Sequence, residues 1–233
     1  MNIDTGKFDG CYFSGDVLPI EFTSRLDKDV IDLFHEGKEA LLGDIKFEFP
    51  EIFEYLDKDM SDLFLVRSDL GSKPLFYWAL QSEDFNIFSS VPRVYRKLKQ
   101  KISEREYYSS LPEYLKPFYH TFNGFEMTAE SHIHSHQGGF LLSFSNWYGI
   151  DLIGEYLGAS SDAVILKNKF SGGDVRVIGR ALDDEVLLFD MKGADKKIYC
   201  APWEKLSLLE EVTDPQSYIS KMFFNSVNRL TRV

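Results

Sequence analysis

Cysteine is scarce in this chain, with 2 in 233 residues, Cys11 and Cys200, placed far apart. A protein of this length does not depend on a disulfide for stability, so two reduced thiols are expected, and a pair alone builds no metal knuckle. A basic excess is also missing. Lys and Arg total 26 against 37 Asp and Glu, a formal charge of −11. That excludes a general nucleic-acid binder, whose affinity would come from neutralising phosphates with cationic side chains. No segment approaches about 18 uninterrupted apolar residues, and the opening MNIDTGKFDG lacks a basic stretch followed by an apolar one. A soluble, cytoplasmic protein with no membrane partner is the expectation. Missing too are a Gly-x-Ser-x-Gly elbow, a phosphate-cradling Gly-x-x-x-x-Gly-Lys loop and a His-Glu-x-x-His zinc helix.

Apolar material is abundant. Hydrophobic residues make up 44% and aromatics 15% of the chain, with 20 Phe and 12 Tyr, enough apolar area to offset the entropy of ordering. The charge is unevenly spread. Residues 1–62 hold 16 acidic and 6 basic side chains, a balance of −10, whereas residues 63–233 hold 21 and 20, a balance of −1. An acidic surface of this kind either aids solubility or steers a basic partner into contact.

Along the chain, residues 9–22 read as short β-prone runs with breakers at Gly10, Gly15 and Pro19. Residues 24–42 read as one amphipathic helix, with Ser24 or Asp27 as its cap, Gly43 as its terminating glycine and Val30, Ile31, Leu33, Phe34, Leu41 and Leu42 on its apolar side. Ile45, Phe47 and Phe49 alternate like a strand before Pro50 opens a short helix. LFLVRS and KPLFYWAL flank Asp69-Leu70-Gly71-Ser72 as a hairpin, and FNIFSSV adds a strand. The basic run 93–106 is the natural seam, giving an acidic α+β region over 1–95 and a second α+β domain over 96–233. Beyond it, Leu115, Phe118, Tyr119 and Phe122 mark a helix face closed by Asn123-Gly124. GGFLLSFSNW, DAVILKNKF, VRVIGRAL, EVLLFDM and KKIYCAP read as strands, and Asp214-Pro215 opens a final helix carrying Tyr218, Ile219, Met222, Phe223 and Val227. The fold class is therefore α+β, a mostly antiparallel sheet flanked by helices.

Two stretches carry a resemblance. Leu111-Pro112-Glu113-Tyr114-Leu115 leading to Phe122-Asn123-Gly124, then Val177-Ile178-Gly179, Glu185 to Asp190, Lys197-Ile198-Tyr199 and the helix from Ser217, resemble in order and spacing the SUKH superfamily of bacterial immunity proteins and fungal cell-wall regulators. Phe125 stands where that family usually has a second glycine. The resemblance spans residues 96–227 and implies a SUKH-like C-terminal module that binds a protein rather than catalyses. Its implied partner is a cognate protein toxin, often a nuclease, neutralised inside the cell by occlusion of its active site.

The carboxylates Asp27, Asp29, Asp32, Glu36 and Glu39 are the expected partner contacts, with Trp147, Tyr148 and Trp203 as aromatic candidates. His132, His134 and His136 fall on one face of an extended segment and could supply imidazole ligands to a metal. No Cys or Asp stands near as a fourth ligand and Gly138-Gly139 flank the run, so an exposed polar loop is expected, with no cofactor and no catalytic residue. Cys11, among aromatics, and Cys200, at the end of an apolar strand, read as inert thiols. Asp183-Asp184-Glu185 reads as a solvated turn, and Asp57, Asp59 and Asp62 lack the glycine and glutamate of a calcium loop. A regulatory scaffold and a metal-dependent enzyme on the histidine run are the rival functions.

Overall fold

Alternating β-branched and aromatic side chains build two antiparallel sheets. In the computed structural model, which describes residues 10–60, 63–68, 75–91, 102–128, 139–141, 147–149, 164, 166, 168–170, 174–180, 185–193, 195–202 and 205–231, the first sheet has six strands in chain order: β1 (Gly10–Phe13), β2 (Leu63–Ser68), β3 (Leu75–Gln81), β4 (Asn86–Ser90), β5 (Phe125–Thr128) and β6 (Gly139–Leu141). It draws β1–β4 from before residue 96 and β5–β6 from after it. The second sheet runs β11 (Glu210–Glu211), β10 (Ile198–Pro202), β9 (Glu185–Asp190), β8 (Val175–Arg180) and β7 (Tyr148–Gly149).

The period-2 alternation sorts side chains between cores. On the first sheet, Leu63, Leu65, Phe76, Trp78, Leu80, Ile87, Phe125 and Met127 enter the main core, while Phe64, Val66, Tyr77, Ala79 and Phe88 form a smaller cluster on the other face. On the second, Ile178, Leu187, Phe189 and Ile198 join the main core; Val175, Val177, Val186, Leu188 and Ala201 face away into a third cluster. The sheets meet where β6 passes β8. A Cβ on Gly179 would lie 2.7 Å from the Phe140 carbonyl oxygen, so only glycine allows the approach.

Helices cover the main core: α1 (Ile20–Thr23), α2 (Lys28–Glu36), α3 (Lys38–Leu41), α4 (Gly43–Glu48), α5 (Pro50–Lys58), α6 (Ile102–Ser110), α7 (Pro117–His120) and α8 (Pro215–Leu230). In α8 the Asp214 side chain caps the first turn by accepting from the Ser217 amide at 3.1 Å, and Ile219, Met222, Phe223, Val227 and Leu230 are buried. Tyr55 of α5 meets Phe223 and Phe224 edge-on, centroids 5.8 and 5.9 Å away.

Several local expectations need correction. The single helix over 24–42 is two pieces, α2 and α3, because Gly37 takes φ +91° and closes α2 with its amide on the Leu33 carbonyl. Asp27 occupies the N-cap position of α2 without a side-chain capping bond, and Gly43 begins a helix rather than ending one. The alternating Ile45, Phe47 and Phe49 do not form a strand: Ile45 and Phe47 are in α4 and Phe49 is the junction to α5, with Ile45 and Phe49 buried and Phe47 pointing outward, 85% exposed. Within DAVILKNKF, Val164, Leu166, Asn168 and Lys169 are helical, with the Phe170 amide bonded to the Leu166 carbonyl. Ile20 to Phe22, expected among β-prone runs, open α1 instead. The other expected strands, where the structure describes them, and the final helix stand where expected, in an α+β architecture.

Leu115, Phe118, Tyr119 and Phe122 are buried as expected, spread over a 3₁₀ turn (Glu113–Leu115), α7 and the bend that follows it. Gly124 closes this segment at φ +79°. Phe125 fills core space, edge-on to Phe122 and Phe118 at 4.8 and 5.2 Å.

Candidate functional site

The acidic residues expected as contacts lie on α2 and α3. The apolar side of α2 buries Val30 and Phe34, which turns Asp29, Asp32 and Glu36 outward. Spacings of three and four residues place these three carboxylates on one exposed stripe. Asp27 is half-buried at the start of the helix. Glu39 sits on α3 beyond the glycine break, 3.8 Å from Lys46.

The cations of this segment are occupied. Lys38 donates to the Asp57 and Met60 carbonyl oxygens at the end of α5. Lys28 lies 3.7 Å from Asp32, and Lys58 pairs with Glu54, whose carboxyl that hydrogen bond holds below the ordinary glutamate value. Asp27, Asp29, Glu36 and Glu51 have no salt-bridge partner among the described residues. Asp32 and Glu36 repel at i,i+4, and Glu36 stands in the last turn, where the helix dipole favours cations instead. Glu36 therefore does not stabilise α2, whereas Asp29 suits the first turn and Asp32 has Lys28 one turn away.

Phe47 is a contact candidate that sequence reasoning missed. Its helix is tied on both sides: Asp44 Oδ2 lies 2.8 Å from His120 Nδ1 of α7, and Gln216 Nε2 of α8 donates to Glu48 Oε2 at 2.8 Å. Only a period of 3.6 in place of 2 would have exposed Phe47 on paper.

The other candidates separate. Trp147 is buried, stacked on Tyr107 at 5.2 Å, and its Nε1 donates to the Tyr119 hydroxyl at 3.3 Å, so it belongs to the core. His132, His134 and His136, the Tyr148 side chain and Trp203 lie outside the described residues. Among the described residues no group of three His, Cys, Asp or Glu is placed to hold a metal ion, and no helix is long and apolar enough to cross a membrane.

Burial pushes the Cys11 thiol up to about 11, and burial also raises Cys200. Both are protonated near neutral pH and poor nucleophiles. Cys200 adjoins Tyr218, whose hydroxyl donates to Glu185 Oε2 at 2.7 Å, a bond that ties α8 to the second sheet. Glu126 of β5 turns away from the main core, opposite Phe88, and burial pushes its carboxyl up to about 7. It shares a face with Cys11, but three strands intervene, a separation of about 19 Å. No thiol–carboxyl chemistry spans that distance.

The site is therefore a charged, solvated helical face and not a cleft of converging reactive groups. No protein-family model, curated protein or solved structure matches the chain.

Proposed function

We propose that this chain is a cytoplasmic, immunity-type binding protein that neutralises a cationic protein toxin by covering its active site. What carries the reading is the α2 stripe, where Asp29, Asp32 and Glu36 line up exposed at spacings of three and four residues and Glu36, with no salt-bridge partner among the described residues, stands in the last turn, against the helix dipole. Groups that break a local stability rule without compensation mark places selected for something else. A nuclease presents cations to phosphate, so carboxylates on a helix can take the phosphates' place while long-range attraction speeds capture. The SUKH-like order of motifs over residues 96–227 supports the same assignment, as a proposal about family as well as function.

Co-expression with the toxin-like product of a neighbouring gene should restore growth and yield a stable complex. No rescue and no complex would overturn the proposal. A gene with no such neighbour would favour a regulatory scaffold. In the complex, Asp29→Asn/Asp32→Asn/Glu36→Gln should slow association by about tenfold at low salt, an effect that fades as added salt screens the stripe.

A further inference from the structure

A second surface lies on the segment joining β1 to α1. The Asp16 amide donates to the Phe13 carbonyl oxygen at 2.9 Å, and the Phe13 amide donates to Asp16 Oδ2 at 2.9 Å, so the turn is closed from both sides. Leu18 and Phe22 are buried and pin the segment to the core. Between these anchors the chain displays Phe13, Val17 and Ile20, exposed by 48%, 91% and 72%. The Phe13 ring rests on Phe64, centroids 4.5 Å apart. Single exposed apolar side chains are ordinary. Here half of the six large exposed hydrophobics among the described residues fall within eight positions, on a hydrogen-bonded turn and the stretch from it into α1, the arrangement of a preformed contact.

Charge selects the occupant. Exposed Asp16 and Glu21 flank the apolar side chains, Arg25 follows as a single cation, and residues 1–62 carry a balance of −10. A second copy of this chain would bring like charge against like. A partner with an apolar face bordered by lysine or arginine is complementary in both respects.

We propose that the Phe13–Ile20 turn is the apolar anchor for the cationic partner that the α2 carboxylates attract. This rests on the functional reading above, the stripe governing the encounter and the turn governing residence.

Two probes separate the roles: a short amphipathic peptide of leucine and lysine, and a lysine homopolymer of equal length. Val17→Ser/Ile20→Ser should weaken binding of the leucine–lysine peptide by at least about tenfold, the loss expected from uncovering two aliphatic side chains. Homopolymer binding should not change. Asp29→Asn/Asp32→Asn/Glu36→Gln should weaken both probes. Equal affinity of the leucine–lysine peptide for the wild type and the serine variant would overturn the anchor and leave the charged stripe standing. Homopolymer binding unaffected by the carboxylate variant would overturn the stripe while the serine comparison still judges the turn. A concentration-dependent dimer abolished by the serine substitutions would also overturn the proposal, in favour of self-association. Val17→Ser alone, at a solvated side chain, serves if the double variant melts early.

Discussion

Gly179 has room for a hydrogen and no more. With the Phe140 carbonyl 2.7 Å from where a Cβ would sit, Gly179→Ala must push β6 and β8 apart. A destabilisation of about 1–3 kcal/mol is expected, measurable as a lower urea midpoint. Glu126 offers a test by pH. Burial raises its folded-state pKa from the ordinary 4.5 to about 7, so across that window the folded protein holds a proton that the unfolded chain has released. Stability should therefore fall as pH rises from about 4.5 to 7 and level off above. Glu126→Gln removes the penalty of ionisation, and melts at pH 5 and pH 8 should show it gaining on the wild type by about 2 kcal/mol at the higher pH. A constant difference between the two would contradict the assignment.

Lys38 acts between elements. Its ammonium holds the carbonyls of Asp57 and Met60, which have no further helical turn to bond. Lys38→Met should cost about 1–2 kcal/mol, whereas Lys46→Met, at an exposed pair, should change stability by less than about 0.5 kcal/mol; chemical denaturation compares them. Elements were legible where one periodicity excluded the other. β2, β3 and β4 alternate long enough to exclude a helix, and α8 carries its cap, its proline and four turns of apolar spacing. Ile45, Phe47 and Phe49 did not decide, because three residues fit a period of 2 and a period of 3.6 equally well. Gly37 was invisible as a helix stop because apolar spacing continued past it, while the positive φ that ends α2 leaves no trace in that spacing. Of the candidate site, the carboxylates could be picked by type alone, since an acid beside an apolar stripe must face water. The apolar turn at Phe13, Val17 and Ile20 could not be, since exposure of an aliphatic side chain is set by distant packing partners.

At the scale of the molecule, the basic run 93–106 marks a change of composition inside a shared structure. β4 pairs with β5, Asn86 to Thr128, Ile87 to Met127 and Phe88 to Glu126, and one core takes side chains from Leu18 through Leu230. Thermal unfolding followed by far-ultraviolet dichroism and by tryptophan fluorescence should give one coincident transition, and residues 1–95 expressed alone should show no cooperative melt. Two separable transitions would speak for independent modules.

The contact between Tyr55 and the ring pair Phe223 and Phe224 also sets a clock. Those partners are made well over a hundred residues later, a delay of roughly 10–30 s at ordinary rates of synthesis. Until then α5 holds an aromatic surface with no seat in α8, so this part of the chain is translated early and becomes firm late. Newly made copies should need that interval, or a chaperone's shelter, before their core is complete.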